Sequence, residues 1–221
     1  MRTLTLTAFF LLVLAATVFG QSDSVPGEQF ARPDFPAASL SSFRGKERID
    51  LFLEFDKNGR VNDVTAFGPW ISCSGSDAVA DSLREAAIQA VKKITIPPAT
   101  SGGKAIESSA LIHYTIEGNQ PPPPPVDEKN QRRGGVVNGT SISKPIPKYP
   151  SKARKFGIQG QAVIHVLIDE TGKPITASAK SGHPLLLEAA AKAACNSRFT
   201  PTLLAGAPVK VMAGIHYNFN P

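Results

Sequence analysis

The chain has 221 residues and a formal net charge of +6, from 24 Lys and Arg against 18 Asp and Glu. The basic residues are scattered and do not alternate with aromatic residues, which argues against a nucleic-acid-binding protein. The charge is uneven: residues 30–118 carry ten basic and eleven acidic residues, whereas residues 149–221 carry eight and three. A basic domain outside the cytoplasm is suited to anionic lipid, cell-wall polymer or an acidic peptide.

The N-terminus has the pattern of an export signal. Arg2 precedes an uncharged, mostly apolar run, so residues 1–20 are predicted to be a signal peptide cleaved before Gln21. An uncleaved membrane anchor is the alternative, because the run just reaches spanning length. Its most apolar part, residues 8–18, is too short for that. Residues 21–32 are interpreted as a linker, and the chain is predicted to be periplasmic or secreted.

A first domain is predicted over residues 33–118, where the periodicities of strand, strand, helix and strand follow one another. The strands are predicted at 48–55, 60–67 and 105–116, and the helix runs from a cap at Ser76 or Asp77 to Lys93. Gly59 ends the turn between the first two strands because glycine takes a positive φ at little cost.

Residues 119–143 are predicted to be a Pro-rich linker. Residues 121–125 are five consecutive prolines, which favour an extended polyproline II rod of roughly 3.1 Å per residue. This segment is expected to space two domains as well as tether them.

A second domain, residues 144–221, has the same order of elements. Its strands are predicted at 160–169, 173–180 and 209–219, its main helix at 184–198 and a short extra helix at 151–155. The helix presents a stripe of alanines, which would let it lie close to the sheet.

The two domains are predicted to be copies of one fold. Ile96, Gly103 and His113 correspond to Phe199, Gly206 and His216 at one offset of 103 residues, whereas the Asp-x-x-Gly turns differ by 113. The first copy therefore has ten extra residues before its helix, and residues 70–76 are the obvious insertion. Two such copies imply two small domains.

Neither cysteines nor histidines indicate a metal or catalytic site. Cys73 lies in the insertion and Cys195 in the second helix; they either form a disulfide linking the two domains or remain two thiols. No Cys or carboxylate completes a zinc set with His165 and His216. With no Ser-His-Asp order, phosphate loop or paired carboxylates, neither an enzyme nor a cofactor is predicted.

Six short motifs in the second domain share the order and spacing of a known family. They are Tyr149-Pro150, Gly157-Ile158-Gln159-Gly160, Asp169-x-x-Gly172, Ser181-Gly182-His183-Pro184, Phe199-x-Pro201 and Gly206-x-Pro208-Val209. On these residues the chain resembles the TonB C-terminal domain family from about Lys144 to Pro221. The first copy keeps the Asp-x-x-Gly turn, the helix pattern and the final strand, and resembles a degenerate member.

The resemblance implies an α+β fold of two tandem domains, each a three-stranded antiparallel sheet with a helix on one face. It also implies partner binding by strand addition to an exposed sheet edge. The partner would be an envelope protein or peptide, such as an outer-membrane transporter. The implied edge residues are Val209, Lys210, Val211, Met212, Ala213, Gly214, Ile215, His216 and Tyr217.

Two alternatives to this function stay open. One is a membrane-anchored energy transducer that couples a proton-driven inner-membrane motor to outer-membrane transporters, and the other is a structural module that binds anionic cell-wall polymer. Separately, the open sheet face of the second domain is apolar at Val163, His165, Leu167 and Met212. These are either scattered surface residues or a docking face for the first domain or a second chain, as in a homodimer.

Overall fold

The computed structural model describes residues 33–43, 45–120, 141–204 and 206–220, which form two compact units. Within them, the first unit contains residues up to Ala66 and then Asp81–Gln120, and the second contains Phe67–Ala80 and residues from 141 onward. The predicted signal peptide, the linker at 21–32 and most of the Pro-rich linker lie outside the described residues. In the described part, no helix is long and apolar enough to cross a membrane.

The first unit is built around a three-stranded sheet of order β2-β1-β6, in which β1 and β6 are antiparallel. The elements up to residue 117 are, in chain order, α1 (Ala37–Leu40), β1 (Lys46–Phe55), β2 (Val61–Phe67), β3 (Ile71–Ser72), α2 (Ala78–Lys92), β4 (Ala99–Ser101), β5 (Lys104–Ile106) and β6 (Ser108–Glu117). Of these, β3 belongs to the second unit. The final strand predicted from residue 105 is thus divided into β5, which pairs with β4 in a hairpin, and β6.

The start of α2 is fixed by Asp77. Its carboxylate accepts hydrogen bonds from the backbone N–H groups of Val79 and Ala80, each at 3.0 Å, which is how an N-cap satisfies the free donors of a first helical turn. Leu83 and Val91 on its apolar face are fully buried, as the helical spacing predicts.

The second unit contains a four-stranded sheet of order β13-β8-β9-β3, so the prediction of three strands was wrong for it. Its further elements are β7 (Ser141–Ser143), α3 (Ser151–Lys155), β8 (Gly160–Ile168), β9 (Pro174–Ser181), α4 (Pro184–Cys195), β10 (Arg198–Phe199), β11 (Thr202–Leu204), β12 (Ala207–Val209) and β13 (Val211–Phe219). The fourth strand, β3, comes from the insertion and pairs antiparallel with β9.

Helix α4 packs on β8 and β9 and is shorter than predicted. It ends at Cys195, not near Arg198, because Arg198 and Phe199 leave the helix to form β10, which pairs with β7. Ala190 and Ala194 are fully buried, consistent with a thin stripe that lets backbone and sheet approach closely.

The turn after β8 shows why glycine is needed there. The Asp169 carboxylate accepts hydrogen bonds from the N–H groups of Thr171 and Lys173, each at 2.9 Å. Gly172 has a φ of +87°, and a Cβ added to it would overlap the carbonyl of Phe199. The N–H of Phe199 donates to the Gly172 carbonyl at 3.0 Å, so this turn also positions the strand that follows α4.

Candidate partner-binding edge

Strand β13 lies at one edge of the second unit's sheet. Its inner side pairs with β8 from Val211 opposite Ile168 to Phe219 opposite Gly160. No strand among the described residues pairs with its outer side. The outer side therefore presents a row of backbone N–H and C=O groups that a further strand could satisfy.

The predicted edge segment is divided between two elements. Residues 211–217 lie in β13, whereas Val209 ends β12 and pairs with Thr202 of the neighbouring hairpin. Lys210 is exposed between them. A partner strand could thus pair along the length of β13, and this pairing would begin after Lys210.

Side chains of β13 alternate between the core and the open face. Val211, Ala213, Ile215, Tyr217 and Phe219 are buried on the helix side, and Met212, at 51% exposure, lies on the other. A strand added to this edge would continue the same alternation. It would place every second side chain at the rim of the core and the rest on the open face.

At the opposite edge of this sheet, β3 pairs with part of β9, namely Thr176 and Ala177. Ile71 lies opposite Ala177 and Ser72 opposite Thr176, and the N–H of Cys73 donates to the carbonyl of Ile175 at 2.8 Å. Among the described residues, β13 and β3 are thus the two edge strands of this sheet, and β13 is the long one, with nine residues against two.

A disulfide joins Cys73 to Cys195. Since Cys73 belongs to the second unit together with the rest of β3, the bond ties this edge strand to the end of α4 within one unit. The predicted domain boundary at residue 118 does not capture this arrangement. A contiguous boundary assigns Cys73 and β3 to the first domain.

The C-terminal half of β13 is flanked by the segment that precedes α3. The ring of Tyr149 packs edge-on against Phe219 with centroids 5.8 Å apart, and its hydroxyl donates to the carbonyl of Ile158 at 2.6 Å. Lys144 places its ammonium 5.7 Å from the ring centroid of Tyr217. The Tyr-Pro motif thus anchors the entry of the chain into this unit.

The Tyr217 hydroxyl lies within the core. Burial raises the pKa of Tyr217, and the Ser197 hydroxyl opposes that rise. This side chain therefore remains a neutral part of the core.

The four predicted docking residues lie together on the sheet face opposite α4. Leu167 is directly opposite Met212 in the β8–β13 register, and His165 is opposite Gly214. Val163, His165 and Leu167 are half-buried. Burial, and to a lesser degree Lys180, lowers the pKa of His165, so this face is uncharged at His165 near neutral pH.

His183 acts at the start of α4. Its Nδ1 accepts a hydrogen bond from the N–H of Leu185 at 3.2 Å, and Pro184 follows as the first helical residue. Burial lowers the pKa of His183 to about 4. The residue therefore shapes the helix entrance.

The first unit also has an equivalent of the Tyr-Pro motif, which was not predicted from the sequence. Phe35 and Pro36 precede α1 as Tyr149 and Pro150 precede α3, and the Phe35 ring contacts Tyr114 edge-on at 6.4 Å. An aromatic residue followed by proline shortly before the first long strand was the available signal. Phenylalanine lacks the hydroxyl that Tyr149 donates to a carbonyl.

These features define a small α+β module in which the outer side of β13 has no partner strand among the described residues. Within the described residues no group of three or more His, Cys, Asp or Glu side chains could hold a metal ion.

Residues 145–221 match the family model described as Gram-negative bacterial TonB protein C-terminal, and this part of the chain is a TonB C-terminal domain. The family resemblance drawn from the sequence is confirmed for these residues. No curated protein and no solved structure gives a significant match. Domains of this family are non-enzymatic, belong to the Gram-negative envelope, and interact with outer-membrane transporters and other envelope proteins.

Proposed function

We propose that this protein is an exported tandem of TonB-like domains that binds an extended segment of an envelope protein by adding it to β13. The observation that carries the proposal is the asymmetry of the second sheet. On the β9 side, β3 pairs with Thr176 and Ala177 and leaves an edge of two residues, whereas the nine-residue outer edge of β13 has no partner strand in the described chain. The partner strand would satisfy the outer backbone groups of residues 211–217.

The tandem arrangement is supported by the internal geometry of each unit. The order β2-β1-β6 in the first matches β9-β8-β13 in the second. The N–H of Ile96 donates to the Gly59 carbonyl at 2.8 Å, as Phe199 does to Gly172. The hairpins β4–β5 and β11–β12 are also offset by 103 residues.

In this proposal the first domain is a divergent duplicate that serves as a spacer or as a weaker second site. Two linked sites gain avidity when the partner offers two segments within reach. The first domain differs from the second in two features. It has Phe35, without a hydroxyl, in place of Tyr149, and it has the insertion that carries β3.

Export is proposed from residues 1–20, with a mature chain that begins at Gln21. N-terminal sequencing of the cellular protein, combined with membrane fractionation, tests this. A membrane-bound chain that retains Met1 or Arg2 would instead favour the anchored energy transducer.

The binding mode is tested by selecting peptides from a displayed library against the exported chain and measuring amide hydrogen exchange of the complex. We expect slowed exchange in residues 211–217 and little change at Thr176 and Ala177 of β9, which are already paired with β3. Binding should depend weakly on ionic strength, because backbone pairing is screened far less than exposed charge contacts. Binding that salt abolishes, without protection in β13, would reject strand addition and support the polymer-binding alternative.

A further inference from the structure

The segment that leads into β8 forms a strongly basic surface. From residue 141 to residue 168 the sequence contains no acidic residue but five basic ones, namely Lys144, Lys148, Lys152, Arg154 and Lys155. All of these except Lys152, which is half-buried, are exposed. Such a concentration of one sign of charge attracts an anionic partner over several ångströms.

Apolar side chains project from the same segment. Ile146 is 93% exposed and Ile142 is 68% exposed. Exposure alternates along the extended chain, because Pro145 and Pro147 are partly covered whereas the residues on either side of each are exposed. Ile146 is therefore exposed between two exposed lysines, of which Lys144 also places its ammonium 5.7 Å from the Tyr217 ring centroid. We name Lys144, Ile146, Lys148, Arg154 and Lys155 the basic strip.

The basic strip is held against the folded unit. Tyr149, in its middle, packs on Phe219 and donates its hydroxyl to Ile158. The Arg154 guanidinium lies 5.6 Å from the Tyr149 ring centroid, and Ala153 of α3 is fully buried. These contacts fix the strip at the end of the sheet where β13 finishes, so that its charges and Ile146 are presented together.

We infer that the basic strip binds a membrane surface rich in anionic phospholipid. The lysines and arginine gain from negatively charged headgroups, and Ile146 enters the boundary between headgroups and acyl chains. An anionic polysaccharide would neutralise the same charges but would leave Ile146 largely in water. The fully exposed isoleucine between two lysines is thus what favours lipid over a soluble polyanion. This inference does not depend on strand addition at β13.

The test measures binding of the exported chain to phosphatidylcholine vesicles with and without phosphatidylglycerol. The ratio of the two partition coefficients is compared between variants, so that any contribution of the N-terminal segment cancels. The double variant Lys148→Gln/Arg154→Gln should lower the ratio by roughly tenfold or more, since each basic residue near an anionic surface contributes about fivefold.

The matched control is Lys173→Gln/Lys210→Gln, which removes the same charge from exposed residues at the start of β9 and β13, the opposite end of the sheet from Phe219. It should change the ratio by less than about threefold. Equal losses in the two double variants would overturn the inference, because net charge and not the strip would then determine binding.

A second pair of variants separates lipid from a soluble polyanion. Ile146→Ser should weaken binding to the phosphatidylglycerol vesicles several-fold, whereas Leu203→Ser, at another exposed apolar residue in β11, should leave it unchanged. If Ile146→Ser has no effect while the charge variant still loses binding, the strip recognises charge alone and lipid is the wrong partner. All substituted side chains are exposed, and urea unfolding verifies that each variant is folded.

Discussion

Cys73 and Cys195 are joined by a disulfide that ties the edge strand β3 to the end of helix α4. The strand itself has two residues, and a two-residue pairing contributes little by itself. The disulfide therefore stabilises this short pairing, because it holds β3 beside Thr176 and Ala177 of β9.

Removal of this bond is expected to destabilise the second unit. The cysteines are 122 residues apart in sequence, and a crosslink across a loop of that size contributes about 2–5 kcal/mol. We expect Cys73→Ala/Cys195→Ala to lower the free energy of unfolding by that order and to speed amide exchange in β9. Reduction of the wild-type protein serves as the control and should give the same unfolding midpoint. A double variant as stable as the oxidised protein would show that the β3 pairing does not need the bond.

Most of the second sheet could be predicted because its strands obey a simple period. Ala162, Ile164, Val166 and Ile168 are all buried on one side of β8, which is the alternation that the sequence displays. The helix was predicted from its alanine stripe for the same reason. The predicted end of the helix was wrong because Arg198 continues the helical pattern in sequence, whereas its backbone pairs with β7.

The pairing of β3 with β9 could not be predicted. A strand of two residues has no period, and nothing near Ile71 in sequence indicates that its partner is Ala177. The pairing of Cys73 with Cys195 depends on that same long-range contact, so the sequence left it open. The free edge at β13 came only from the family resemblance, because an unpaired edge is a property of the assembled sheet and not of the strand.

Because of His183, the free energy of unfolding is expected to depend on pH. Its pKa is lowered by burial from 6.5 to about 4, and its Nδ1 must be unprotonated to accept the Leu185 N–H. A positive charge there would also oppose the helix dipole. Stability is thus fully present above pH about 6.5 and falls as the pH decreases toward about 4, by on the order of 1–2 kcal/mol after allowance for partial exposure.

Urea unfolding measured between pH 7 and pH 4 tests this dependence on His183. In His183→Asn the amide oxygen can still cap the helix, yet it does not titrate, so the decline over this pH range should be smaller by that amount. An identical pH profile in the wild type and the variant would assign the dependence to other groups.

Two substitutions of Tyr149 are expected to separate the contribution of its hydrogen bond to stability from that of its ring packing. In Tyr149→Phe the ring still reaches Phe219, but the carbonyl of Ile158 loses its donor. A lost bond of this kind costs about 1 kcal/mol. Tyr149→Ala should cost clearly more, because the edge-on contact with Phe219 is also removed. Equal destabilisation in the two variants would mean that the hydroxyl alone anchors the segment.

Substitution of Gly172 by alanine is expected to destabilise the protein strongly, and the same substitution at Gly157 provides the control. Both have positive φ, at +87° and +62°, so alanine is strained at either position by roughly 1 kcal/mol. Only at Gly172 would the new Cβ also overlap a backbone carbonyl, that of Phe199, whereas the space around Gly157 is open. Backbone atoms cannot swing aside as a flexible side chain can, so the Phe199 N–H bond to residue 172 and the start of β10 must shift.

Gly172→Ala should therefore lower the free energy of unfolding by about 2–4 kcal/mol, and Gly157→Ala by about 1 kcal/mol, in urea titrations at neutral pH. Equal effects would show that the turn relaxes without disturbing Phe199, and that φ strain alone explains the requirement for glycine.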